Sequence, residues 1–69
     1  MRASPQLLGC AALLIQQHPK YMRDLKLHAL LYFAQVECLT RHGRPVFPDR
    51  IVARSTGPFI PALWRALTL

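Results

Sequence analysis

The run from residue 25 to residue 41 constrains the fold of this chain more than any other segment. Placed on a wheel at 100° per residue, as helical geometry requires, it carries two apolar faces. Leu27, Leu31, Ala34 and Cys38 form one, and Leu25, Ala29, Tyr32, Val36 and Leu39 form the other. His28 and Gln35 separate them on one side; Lys26, Glu37 and Arg41, interrupted by Leu30, separate them on the other. A helix that is apolar on two faces is sandwiched between layers. The pattern predicts a helix over about 23–41, closed by Gly43 as a C-cap beside the cationic Arg41.

One covering layer is available upstream. Ser4-Pro5 is a helix start, with serine as the N-cap and proline at the first helical position. Leu7, Leu8, Cys10, Ala11, Leu14 and Ile15 then share a face, with Gln6, Gln16 and Gln17 opposite and Leu13 out of pattern. Pro19 ends this helix by pushing the preceding residue out of helical geometry.

Downstream, Gly43-Arg44-Pro45 breaks the chain and Pro48-Asp49 forms a turn. Val46 and Phe47 on one side of that turn and residues 51–53 on the other are expected to be extended, as a short hairpin. Gly57-Pro58 is a second break. Pro61 opens a short last helix with Leu63, Trp64, Ala66 and Leu67 on one side and Arg65 and Thr68 on the other. A helix of about two turns persists only when docked. The expected fold is therefore mainly α: a small three-helix domain, residues 1–69, with a long central helix and a short extended or hairpin segment before the last helix.

Composition bears on what covers the second face. A chain of 69 residues buries only about 60% of its unfolded surface, which makes its own core marginal. Yet 52% of its residues are hydrophobic and only 17% are charged. This surplus of apolar surface points to a protein partner or to a homodimer.

Catalytic chemistry is sparse. The three acids, Asp24, Glu37 and Asp49, fall in three separate segments, which argues against a paired-carboxylate site. Cys38 and His42 are four apart, a spacing suited to a metal pair or a thiolate–imidazole pair, but no third ligand accompanies them. His18 precedes Pro19 and reads as a surface cap residue. His28, on a polar edge of the central helix, reads as solvated or hydrogen-bonded. The three glycines are isolated, so there is no phosphate loop. No enzyme activity, cofactor or metal is expected. Cys10 and Cys38 do not make a disulfide framework and read as buried free thiols of a reducing cytosol. The apolar run 7–15 is too short for a membrane span of about 20 residues. Most of it also lies after Cys10, the wrong side for a lipoprotein-type cleavage site. A cytoplasmic protein without membrane attachment is expected.

The formal charge is +6, from seven arginines and two lysines against three acids. Arg41, Arg44, Arg50 and Arg54 crowd one stretch, with only Asp49 among them. Such a cluster suits a nucleic acid or an acidic protein surface. No recognition-helix signature, zinc-finger spacing or glycine–aromatic RNA motif accompanies it, which favours protein. Phe59 and Trp64 follow, and tryptophan is enriched at binding hot spots.

Three blocks, in order, also resemble a known family. They are Lys26-Leu27-His28-Ala29-Leu30-Leu31-Tyr32-Phe33-Ala34-Gln35, then His42-Gly43-Arg44-Pro45-Val46-Phe47, then Ala53-Arg54-Ser55-Thr56-Gly57-Pro58-Phe59-Ile60-Pro61-Ala62-Leu63-Trp64. Together, over residues 26–64, they resemble the N-terminal half of the Panacea (SocA-like) antitoxin domain, which is often phage-associated. Arg54 stands where the family has an aromatic before Gly-Pro, and Thr56 stands where it has tyrosine beside the glycine. The second half of the domain has no counterpart. The resemblance implies binding without chemistry, since Panacea proteins neutralise unrelated protein toxins. The expected function is thus a phage- or prophage-type protein that binds and neutralises a protein target in a bacterial host, through Arg44, Arg50, Arg54, Phe59 and Trp64. Two alternatives are a small phage inhibitor of a bacterial defence complex, of the anti-CRISPR kind, and a basic nucleic-acid-binding protein.

Overall fold

A computed structural model describes residues 2–21 and 24–68. It contains α1 (Pro5–Gln17), a 3-10 turn (Pro19–Tyr21), α2 (Leu25–His42), β1 (Val52–Arg54), β2 (Gly57–Phe59) and α3 (Pro61–Thr68). The architecture is the expected one: mainly helical, with an antiparallel two-stranded hairpin before the last helix.

Local chemistry sets the helix ends. The Ser4 hydroxyl oxygen accepts the Leu7 N–H at 3.1 Å, satisfying one of the free donors of the first turn of α1. Asp49 then holds the cap itself. Its carboxylate accepts the Ser4 N–H at 2.8 Å and also the Ser4 hydroxyl, which ties the start of α1 to a loop 45 residues downstream. Asp24 caps α2 by accepting the Lys26 N–H at 2.9 Å. The expected start of α2 near Arg23 lies outside the described residues. At its other end Gly43 adopts φ 72°, a left-handed conformation that disfavours side chains, and donates its N–H to the Leu39 carbonyl at 3.0 Å. Loss of a charge-assisted pair like that of Asp49 costs on the order of 2 kcal/mol. Asp49→Ala is expected to lower the thermal midpoint by about 10 °C in a domain of this size, as calorimetry would read.

The hairpin forms later than the turn chemistry suggested. Pro48-Asp49 is not its turn; the chain reverses at Ser55-Thr56, with Val52, Ala53 and Arg54 paired to Phe59, Pro58 and Gly57. Among the described residues only glycines take positive φ, and Gly57, at φ 114°, directly follows the Ser55-Thr56 reversal and leads the chain into β2. Pro58 lacks an N–H, and an isolated two-stranded ribbon tolerates this because every strand in it is an edge.

The core joins Leu7 and Ala11 of α1, Leu27 and Leu31 of α2, Phe47 of the connecting loop, and Ile60, Ala62 and Leu63 around the start of α3. Thus α2 is covered by α1 and by the hairpin, but on a sector shifted from the expected one. His28 and Gln35, read as polar separators, are buried, while Ala34 is exposed. Tertiary partners explain the shift. The Gln35 side chain donates to the Phe47 carbonyl at 2.7 Å and accepts the N–H groups of Val46 at 2.8 Å and Phe47 at 3.3 Å. Val46 and Phe47 therefore satisfy their backbone on a side chain and not in a strand, and Phe47 is delivered into the core. The second apolar face remains exposed along Leu25, Tyr32, Val36 and Leu39. Among the described residues, no helix is long and apolar enough to cross a membrane.

Candidate functional site

The site assembles where the hairpin and α3 meet α2. Ile60 immediately precedes α3, and its N–H has no partner within that helix. It donates instead to Nδ1 of His28 at 3.0 Å, while its carbonyl accepts the Trp64 N–H at 3.1 Å. His28 is thereby fixed as the Nε2–H tautomer and pins the start of α3 to α2. At 1% exposure it is buried, so of the two readings of this residue the hydrogen-bonded one holds.

The imidazole also organises the aromatics. It stacks on Phe59 with centroids 4.8 Å apart and planes 3° from parallel, and Trp64 tilts against both rings at 6.1 and 5.7 Å. The Arg54 guanidinium lies over the Phe59 ring, 3.8 Å from its centroid. That is a close cation–π contact, and it holds a charged group of five fixed donors in place at the surface. The hairpin register makes it possible, because Arg54 and Phe59 lie diagonally across the two strands on one face.

Two open grooves flank Arg54. One, of about 480 Å³, is lined by Leu25, Arg54, Thr56, Phe59, Pro61 and Trp64. The other, of about 400 Å³, lies between Tyr32 of α2 and the hairpin and is also lined by Arg54. Both have mostly apolar walls. A fixed guanidinium beside an apolar groove matches an acidic side chain next to a hydrophobic one.

The structure thus brings together Arg54, Phe59 and Trp64. Phe59 is buried as the platform of the stack, and Trp64 is 40% exposed at the rim. Arg44 and Arg50 are exposed on the connecting loop and line neither groove. Sequence reasoning missed His28 as the organiser. A usable signal was its seven-residue separation from Gln35, which puts both on the side of α2 that meets the irregular downstream chain.

Burial pushes the His28 pKa below its ordinary value of 6.5, because charging a desolvated imidazole is costly. Below pH 6.5 the unfolded chain takes up a proton that the folded chain resists. This part of the stability is full above 6.5 and is lost as pH falls toward the folded-state value. Urea midpoints are expected to fall between about pH 7 and pH 5, with a shallower slope in His28→Gln.

The remaining reactive groups show no converging chemistry. Burial, and then the neighbouring Cys38, pushes the Cys10 thiol above its ordinary value of 9.0, which disfavours the nucleophilic thiolate. Both cysteines are free thiols, half-buried on facing helices. Among the described residues no three of His, Cys, Asp or Glu come together as a metal site, and no buried side-chain polar atom lacks a hydrogen-bond partner. Comparison with models of protein families, with curated proteins and with solved structures finds no match to this chain.

Proposed function

We propose that this chain is a non-enzymatic binding protein that docks an acidic surface of a protein target in the groove beside Arg54 and Trp64, and neutralises that target. The observation that carries this reading is the Arg54–Phe59–His28 stack with Trp64 at its edge. It fixes a cation and a half-exposed indole next to an open apolar groove, the combination of anchors from which interface hot spots are made. The resemblance to Panacea antitoxins over residues 26–64 supports the same class of function and adds a phage or prophage setting in a bacterial cytoplasm. It also makes sense of one departure from the family pattern. The arginine at position 54 keeps contact with Phe59 by stacking on it, and adds a charge that an aromatic lacks.

The test is affinity capture from the host with the wild-type chain and with Arg54→Ala/Trp64→Ala, followed by titration of the recovered protein. The reading predicts one acidic protein, captured by the wild type and lost from the folded double variant. Equal capture by both chains would overturn it. A nucleic-acid reading keeps one observation in its favour, the exposed Arg44 and Arg50 near Arg54 in sequence. It would be marked by retention of DNA or RNA with affinity falling steeply as salt rises.

A further inference from the structure

Strand β2 is the one packed against α2, and β1 is its outer neighbour. In an antiparallel ribbon, alternate residues turn their N–H and C=O toward the partner strand and the others turn them outward. Proline fixes the phase here. Pro58 has no N–H, so its pair with Ala53 is not a hydrogen-bonded one; the Val52–Phe59 and Arg54–Gly57 pairs are. Ala53 therefore turns its N–H and C=O to the outer side of β1. Among the described residues no backbone group bonds to either. The Ala53 side chain is small and exposed. The matching outward position on β2 is Pro58, which cannot donate, so β1 carries the edge that can both donate and accept.

We propose that an extended, acidic segment of the protein target adds to β1 as a third, antiparallel strand centred on Ala53. This names the form of the partner at the Arg54 groove and rests on that reading of the site. Charge selects the occupant. Side chains alternate along a strand, so Val52 and Arg54 share one face and Ala53 points to the other. A carboxylate on the added strand opposite Arg54 stands at cross-strand contact, with Cβ atoms about 4.5–5.5 Å apart. The Arg54 guanidinium stacks on Phe59 but enters no ion pair among the described residues, and the nearby Asp49 is committed to Ser4. Arg50, exposed just upstream of β1, adds positive charge along the same stretch. A second copy is the poorer occupant, since pairing two β1 edges brings two chains of +6 together along their arginines. Shape agrees with an added strand. All three residues of β1, with Ile51, line the groove of about 400 Å³, which gives side chains of that strand a depression to enter.

The probe is a short capped peptide alternating glutamate and valine, titrated into the full chain labelled with nitrogen-15. Exchange of the Ala53 amide with solvent is expected to slow by about tenfold or more at saturation, while the Arg54 and Phe59 amides, already bonded within the hairpin, change little. When the glutamates meet Arg54, the valine N–H groups face β1 and the glutamate N–H groups face away. N-methylation of the valines is expected to weaken binding by at least about tenfold, and N-methylation of the glutamates to leave it nearly unchanged. Ala53→Pro is expected to weaken binding as the first peptide does with the hairpin intact, since the N–H it removes bonds to no backbone group in the free chain. The methylated peptides probe the same contact on the unaltered chain. An Ala53 amide indifferent to the glutamate peptide would overturn the proposal, as would equal binding of the two methylated peptides. Slow Ala53 exchange in the free chain that deepens with protein concentration would give the edge to a second copy, and would also overturn it. The captured target separates this proposal from the reading beneath it. Affinity lost on Arg54→Ala/Trp64→Ala but kept on Ala53→Pro would overturn strand addition alone. Affinity kept on Arg54→Ala/Trp64→Ala would overturn the groove reading and strand addition with it.

Discussion

Gln35→Met is expected to cost about 3 kcal/mol, although it conserves volume and replaces a polar residue in the middle of a helix by an apolar one. The reason is the three backbone groups that the Gln35 amide satisfies: the N–H groups of Val46 and Phe47 and the carbonyl of Phe47. Without it the Phe47 groups stay buried and unpaired, each at about 1–3 kcal/mol, or the segment moves and withdraws Phe47 from the core. A domain of this length has a stability of only about 4–10 kcal/mol, so much of it is lost in one substitution. Phe33→Ser, on the same helix but 64% exposed, is expected to stay within about 0.5 kcal/mol of wild type. Urea denaturation of the two variants reads the contrast. A mild Gln35→Met would mean that the loop is held by something other than this amide.

Trp64→Ala is expected to weaken target binding by about 2 kcal/mol or more, roughly thirtyfold, while leaving the fold intact. Leu63, its buried neighbour, anchors α3, and Trp64 itself is half exposed, so truncation removes contact surface more than core. Arg54→Lys is informative beside it. Lysine keeps the charge but not the planar guanidinium that stacks on Phe59, so a loss of affinity there marks positioning and not charge alone. Arg44→Ala and Arg50→Ala remove exposed charges from the connecting loop, outside both grooves, and should slow association with little effect on dissociation. Surface plasmon resonance with the captured target separates these cases. Equal losses at all four positions would describe a diffuse electrostatic contact without an anchored groove.

The helices were legible in the sequence because their signals are local. Ser4-Pro5, Pro19, Gly43 and Pro61 mark ends through the chemistry of one or two residues, and the structure ends its helices at or beside them. The choice of buried face on α2 was not legible, since it depends on partners far along the chain. Hydrophobicity assigned Ala34 to the interior and His28 and Gln35 to its edge. The backbone of residues 46, 47 and 60 reversed that order by offering hydrogen bonds only those two side chains could complete. The hairpin was misplaced for a related reason. Pro48-Asp49 has stronger turn chemistry than Ser55-Thr56, but the Asp49 carboxylate is committed to the cap of α1. Of the site, Arg54, Phe59 and Trp64 could be named from residue type, whereas their assembly around His28 required the fold.

Trp64 is the chain's single tryptophan, and that makes it the direct reporter of the central claim. Fluorine NMR of the chain labelled with 5-fluorotryptophan gives one resonance, unobscured by any tryptophan of the target. Binding in the groove predicts that this resonance shifts on titration with the captured target and loses its sensitivity to exchange of water for heavy water, as the half-exposed indole is covered. A target that binds while the Trp64 resonance keeps its position and its solvent sensitivity would contradict the account.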